Sequence, residues 1–248
     1  MKVTPIKTHK VTVNDKNIIT IIDRYITRLK ENSIVAISSK IIAITQGRLV
    51  KNTTKENKNK LIEQEADFFL APTSSRHPFY ITIKGNALLA SSGIDESNGN
   101  GYLILLPVNL QEITNQIREF LKNKFKIRNL GIIVTDSKTS PLRFGVTGLT
   151  LTHSGFIGVN DYIGKKDLFG KILKSTRVNV MDGLAAAAVV VTGESREQTP
   201  LAIIEDLPFV KFQDRVPSKE ELNNLQIDLE DDLYASFLRS VKWQKGKK

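Results

Sequence analysis

FYITIKGNALLAS, Phe79 to Ser91, decides the fold class. Two short β-rich runs, Phe79–Lys84 and Ala87–Ser91, flank Gly85-Asn86, a pair suited to the left-handed backbone of a two-residue hairpin. Downstream, the GIDESNGNG loop (93–101) leads into a strand over Tyr102–Leu106. Pro107 breaks it, and a helix covers roughly Leu110–Lys124. Upstream, Asn57 is the expected cap of a helix over Lys58–Ala66, followed by the loop APTSSRHP (71–78). Nearer the start, Asn14 and Asp15 precede the helical stripe Ile18, Ile22, Tyr25, Ile26 and Leu29. SIVAIS (Ser33–Ser38) reads as a buried strand running into Ser39-Lys40, in a segment that ends at Gly47. Beyond the central helix, Gly131–Thr135 reads as a short strand that delivers Asp136 and Ser137 to a loop, and Val146–Thr152 as another strand. Asp182 caps a helix through GLAAAAVVV, Leu201–Ile204 is a buried strand, and Ser218 begins an acidic helix reaching about Leu238. Hairpins and helices interleave without regular βαβ alternation. The expectation is therefore α+β, with mixed or antiparallel sheets and packed helices. It is read as one unit over 1–248 with two interleaved subdomains, 1–85 with 190–248, and 86–189.

Composition narrows the chemistry. The 248 residues contain no cysteine, which excludes disulfides, thiolate nucleophiles and cysteine-ligated metals. His9, His77 and His153 are isolated, so a metal site would be built mainly from carboxylate, hydroxyl and carbonyl oxygens and would favour Mg2+, Mn2+ or Ca2+. The net charge of +10 suits a nucleotide or another polyanion. Much of that excess lies in KNTTKENKNK (51–60) and KWQKGKK (242–248), which read as solvated loop and frayed terminus. Nucleic acid is not an expected partner, because no interleaved basic and aromatic motif is present. The longest strongly apolar run, Leu184–Val191, is too short to span a bilayer. Met1–Lys10 lacks the apolar segment of a signal peptide, so the expected location is the cytoplasm, without a membrane partner.

Three segments carry candidate chemistry. In GIDESN (93–98), an extended backbone points Asp95 and Glu96 to opposite sides, so one carboxylate faces a given ion; a polar Asx turn explains the same residues. Asp136-Ser137 pairs a carboxylate with a hydroxyl, the combination that holds a nucleotide-bound metal, although such an Asp also caps turns. Lys40, where a strand meets a helix start, is a candidate phosphate ligand. Arg143, after Pro141, carries the planar fork that grips carboxylate or phosphate. For both, a merely solvated side chain is the alternative. TGESREQTP (192–200) follows the alanine-rich helix and is either a helix-terminating or a nucleotide-contacting loop. No Walker motif or dinucleotide fingerprint occurs, and His153 reads as a packing residue.

Read in order, SSKIIAITQGR (38–48), ASSGIDESN (90–98), LLP (105–107), IVTDS (133–137), PLRFG (141–145), NDYIGKKDLFGK (160–171), DGLAAAA (182–188) and TGESREQTP resemble the coenzyme F-420:L-glutamate ligase family. The resemblance implies a GTP- and divalent-metal-dependent γ-glutamyl ligase that adds L-glutamate to a cofactor carboxylate through an acyl phosphate. The acceptor it implies is a deazaflavin or, as in a bacterial branch, a pterin of folate metabolism. It also implies an α+β homodimer, Mg2+ or Mn2+, and K+ as a further candidate ion. Carried over by position, Asp95, Asp136, Ser137 and Glu194 become metal ligands. Ser39, Lys40, Asn98, Gly193, Glu194 and Thr199 become nucleotide contacts, and Lys40 and Arg143 the catalytic cations.

The chain departs from the family pattern in three places. Ile44 stands where the family has a second lysine, DSKTSPLR (136–143) lacks an arginine and a tryptophan, and Gly183 replaces an acidic residue. These changes fit retained metal and triphosphate chemistry with an altered acceptor pocket. The THKV segment (8–11) and the altered loop favour the folate branch. The competing reading is a non-catalytic nucleotide- or anion-binding protein that keeps the ligase scaffold.

Overall fold

A computed structural model describes residues 1–74 and 76–247; Ser75, within APTSSRHP, and Lys248, ending the tail, lie outside the described residues. Elements are numbered in chain order. The architecture is α+β around a five-stranded mixed sheet in the order β1 (Lys2–Ile6), β12 (Leu201–Glu205), β2 (Ser33–Ser38), β8 (Leu130–Thr139) and β9 (Val146–Ser154). Only β2 and β8 run parallel. One face of the sheet buries Val35, Ile37, Ile132 and Val134 against α1 (Ile18–Tyr25), α2 (Ser39–Thr45) and α4 (Leu110–Phe125). The other buries Ile34, Ala36 and Ile133 against α5 (Val180–Thr192). Coverage on both faces explains why SIVAIS is apolar without alternation.

A second sheet, in the order β13 (Gln244–Lys245), β4 (Phe68–Leu70), β5 (Ile81–Lys84) and β6 (Ala87–Ala90), contains the expected hairpin. Gly85 and Asn86 both have positive φ, +56° and +61°, as a type I′ turn requires. Two small ribbons complete the strands: β3 (Leu49–Lys51) with β7 (Tyr102–Ile104), and β10 (Val159–Asp161) with β11 (Arg177–Asn179). The remaining helices are α3 (Lys55–Glu65), α6 (Lys219–Asn223) and α7 (Ala235–Leu238). No helix among the described residues is long and apolar enough to cross a membrane.

Several local expectations are corrected. α1 is capped by Asn17, not by Asn14 or Asp15, and α3 starts earlier than expected because Thr54 accepts the N–H of Asn57 at 3.2 Å. The lysine-rich stretch 51–60 is therefore largely helix and strand. α5 is capped by Asn179, which places Asp182 in its first turn. Ser218 does cap a helix, but that helix ends at Asn223 and only α7 re-forms downstream. Asn223 and Asn224 are weak helix formers, Asp228 and Asp232 repel at i, i+4, and Asp232 takes the N–H of Tyr234 in a competing turn. The described part of the tail, 242–247, is not frayed. β13 pairs with β4, the N–H of Gly246 reaches the Asp67 carbonyl, and Lys247 pairs with Glu63.

The correction that matters most for the site concerns β8. It does not end at Thr135 but continues to Thr139, pairing with β9 through Thr139–Val146. The strand nevertheless changes surroundings at the expected point. Thr135 pairs with Ser38, the last residue of β2, so from Asp136 onward β8 has only β9 beside it.

Candidate functional site

The described residues form a cavity of about 380 Å³ outside the carboxyl ends of the parallel pair β2 and β8. The Ser38–Ile41 turn, the Gly93–Asn98 loop, the Thr135–Ser137 stretch of β8 and the Thr192–Pro200 loop contribute to its walls, together with Thr8–Val11 before α1. Neighbouring residues of a regular strand face opposite ways, yet Thr135, Asp136 and Ser137 all line the cavity. From Asp136 onward β8 has passed the end of β2, which leaves that edge of the strand unpaired beside the cavity.

Charge is concentrated at one end. Lys40 Nζ lies 2.5 Å from Asp95 Oδ2 and donates to Ser97 Oγ at 3.0 Å. Asp95 also accepts from the Ser97 N–H (2.6 Å) and Ser97 Oγ (3.0 Å), so the Asx turn and the carboxylate site are the same feature. Glu96 points elsewhere and pairs with Lys58. Burial opposes ionisation of Asp95, but Lys40 and the Ser97 bonds outweigh it and hold the carboxyl below its usual range. Asp136 accepts from Ser39 Oγ (3.0 Å) and the Ser137 N–H (2.7 Å). Its carboxyl is nonetheless pushed up to about 6, mainly by burial and further by the Asp95 charge, against these bonds and Lys40. Glu194 is also raised. Burial is the main cause, Lys40 opposes it, and Asp95 and Glu197 add to it. Three carboxylates from distant segments therefore share one field around one lysine.

The loops are tied together. Asn98 Nδ2 donates to the Ser195 carbonyl (2.9 Å), and Thr199 Oγ1 closes the 192–199 loop on the Thr192 carbonyl (2.6 Å). Gly193 has φ +77°, and a Cβ there would lie 2.5 Å from the Glu197 carboxyl carbon, so the turn needs glycine. Ser39, Lys40, Asp95, Asn98, Asp136, Ser137, Gly193, Glu194 and Thr199 all line the cavity. Arg143 does not; it sits on the exposed turn between β8 and β9, outside the lining. Ile44 lines the cavity beside Ile104 and gives that end an apolar wall. His153 is buried against Phe156, and burial lowers its pKa to about 4, which agrees with a packing role.

The sequence reading missed how the Thr8–Val11 wall is held. His9 bridges Tyr25 OH (2.8 Å) and Asp15 Oδ1 (2.8 Å), and the Thr8 N–H donates to the Gln198 carbonyl (2.9 Å). No local pattern announces this chain, since His9 and Asp15 lie six residues apart in irregular backbone. Among the described residues, no group of three or more His, Asp or Glu side chains is arranged to hold a metal ion by itself.

A family model described as F420-0:Gamma-glutamyl ligase matches residues 5–206. The coenzyme F420:L-glutamate ligase of Methanococcus maripaludis (strain C7 / ATCC BAA-1331) is 34% identical over 200 residues, covering 75% of this chain and 80% of the relative. The protein of the same name from Methanocaldococcus jannaschii is 33% identical over 223 residues, 84% of each chain. That from Methanopyrus kandleri is 31% identical over 197 residues, 72% of this chain and 77% of the relative.

Proposed function

Because the chain belongs to the F420-0:gamma-glutamyl ligase family, we propose that it joins L-glutamate to a cofactor carboxylate, with coenzyme F420-0 as the acceptor and GTP and a divalent cation as requirements. The observation that carries this reading is the convergence of Asp95, Asp136 and Glu194 on Lys40 in one cavity. A carboxylate is a poor electrophile until one oxygen becomes a leaving group. In the proposed reaction an acceptor oxygen attacks the γ-phosphorus and GDP departs. The glutamate amine then attacks the acyl carbon, and the C–O bond to phosphate breaks.

The donor set fits a hard ion: carboxylates of Asp95, Asp136 and Glu194 and the hydroxyl of Ser137, without sulfur or imidazole. Because these side chains form no complete cage, nucleotide phosphate oxygens are needed to finish the coordination. Such an ion would neutralise triphosphate charge and the charge that develops during transfer. In this reading Lys40 binds phosphate oxygens once Asp95 is engaged elsewhere, and Ser39 keeps Asp136 aimed inward. Asn98 and the 192–199 loop enclose the nucleotide. Self-association belongs to the same proposal. Leu142, Phe144, Leu168 and Phe169 stand 95% or more exposed, which supports burial against a second copy and is checked by light scattering.

The test is incubation of the protein with GTP, Mn2+ and L-glutamate, with F420-0 and a folate as parallel acceptors, read by mass spectrometry. One added glutamyl unit on F420-0 is expected. Addition to the folate alone would reassign the acceptor. Tight GTP binding with no product on either would favour the non-catalytic scaffold.

A further inference from the structure

The part of β8 that carries Asp136 and Ser137 is a two-stranded ribbon leaving the central sheet, and its direction is set where it departs. There the ladder shifts register: Val134 pairs with Thr152 but Thr135 pairs with Thr150, so Leu151 is an extra residue on β9. A bulge of this kind bends its strand and increases local twist, which re-aims the side chains beyond it. The bulge abuts the N-terminal turn of α5. Thr150 donates its N–H to Asp182 Oδ1 at 2.9 Å and its hydroxyl to the Met181 carbonyl at 2.8 Å. Asp182 is itself fixed, its N–H donating to Asn179 Oδ1 and its Oδ2 accepting from Asn179 Nδ2, both at 3.0 Å. Two residues further along the ribbon, Gly148 faces Ser137 and allows close approach to α5; a Cβ there would lie 2.2 Å from the Ala185 carbonyl oxygen.

We infer that Asp182 is a positioning residue: by holding Thr150 at the bulge it fixes the angle of the β8–β9 ribbon, and hence the placement of Asp136 and Ser137 against Ser39 and Lys40. The contact being placed is sensitive to small displacements, since Asp136 Oδ2 meets Ser39 Oγ at 3.0 Å and a hydrogen bond is lost within about half an ångström beyond that. Asp182 does not line the cavity and so acts only through the ribbon. The inference rests on the reading of the cavity as a metal–nucleotide site.

The full chain tests it by calorimetric titration of Mn2+ with GTP. Asp182→Ser keeps a short polar group in the first turn of α5 but does not span to Thr150, whereas Asp182→Asn retains an oxygen at the right distance. Asp182→Ser is expected to weaken Mn2+·GTP binding by about tenfold or more, the scale seen when groups supporting metal ligands are removed. Asp182→Asn is expected to remain within about threefold of wild type, since its amide oxygen restores the same bond. Binding is normalised to the folded fraction from thermal melts, so lost stability alone moves neither number. Equal binding by Asp182→Ser and wild type overturns the inference, as does equal weakening in both variants. Failure of the wild-type protein to bind Mn2+·GTP would instead overturn the metal–nucleotide reading.

Discussion

Two charged clusters in this molecule are built on opposite ratios. Beside the hairpin sheet, the single carboxylate Glu65 receives Arg48 (2.8 Å) and Lys84. In the cavity, which Lys10 and Arg196 also line, Lys40 sits in the field of Asp95, Asp136 and Glu194. In the first cluster burial opposes ionisation, but the two cations outweigh it and keep the Glu65 carboxyl below its usual range. In the second, burial and mutual repulsion push two of the three carboxyls up. The first cluster is electrostatically complete and serves the fold. In the second, Lys40 does not offset burial and repulsion at Asp136 and Glu194, which suits a site that takes up cations with an anionic ligand.

The sharpest way to break this contrast is Asp136→Asn. If the carboxylate serves the reaction, glutamyl transfer falls by about a thousandfold, the scale of removing a key electrostatic group; steady-state rates measure it. Glu65→Gln should do the reverse, costing about 3 kcal/mol of stability by leaving Arg48 and Lys84 half-buried without their charge partner. Denaturant unfolding reads that loss, while GTP affinity per folded molecule stays unchanged. Asp136→Asn should also stabilise the ligand-free protein by about 3 kcal/mol at pH 8. The sign follows from a folded pKa of about 6 above a model value of 3.8. The native state holds this proton more tightly, so its stabilising contribution is full below pH 3.8 and is lost as the pH rises through 6. The advantage of the variant therefore disappears in acid, and unchanged melting at both pH values would contradict the burial argument. The smallest effect is expected from Lys40→Met. It frees Asp95 and should tighten Mn2+ binding without nucleotide about threefold while weakening GTP binding, because a formal charge pair at 2.5 Å is replaced. Titrations with Mn2+ alone and with GTP alone separate the two.

Legibility in the sequence followed the range of the interactions. The Gly85-Asn86 hairpin, the buried strand 33–38 and the helix 110–125 were readable because turn chemistry and apolar spacing act within a few residues. The absence of cysteine excluded thiolate chemistry outright. Motif order identified nine residues that line one cavity, but it also nominated Arg143, which projects into solvent from the β8–β9 turn. The expected acidic helix from Ser218 failed beyond Asn223, because Asn and Asp side chains there compete for the backbone, as Asp232 does at the Tyr234 N–H.

Sequence alone thus gave the α+β class, most of the central strands and helices and the segments that come to line the cavity, since local spacing, turn residues and motif order carry these. Only the tertiary structure decided that β8 continues past β2 as a ribbon, that a bulge aims Asp136 and Ser137, and that Lys40 already occupies Asp95. Those outcomes depend on register and on groups 32 to 97 residues apart in the chain meeting within 3 Å. Long-range pairing of that kind is fixed by the folded packing as a whole and has no signature in any one segment.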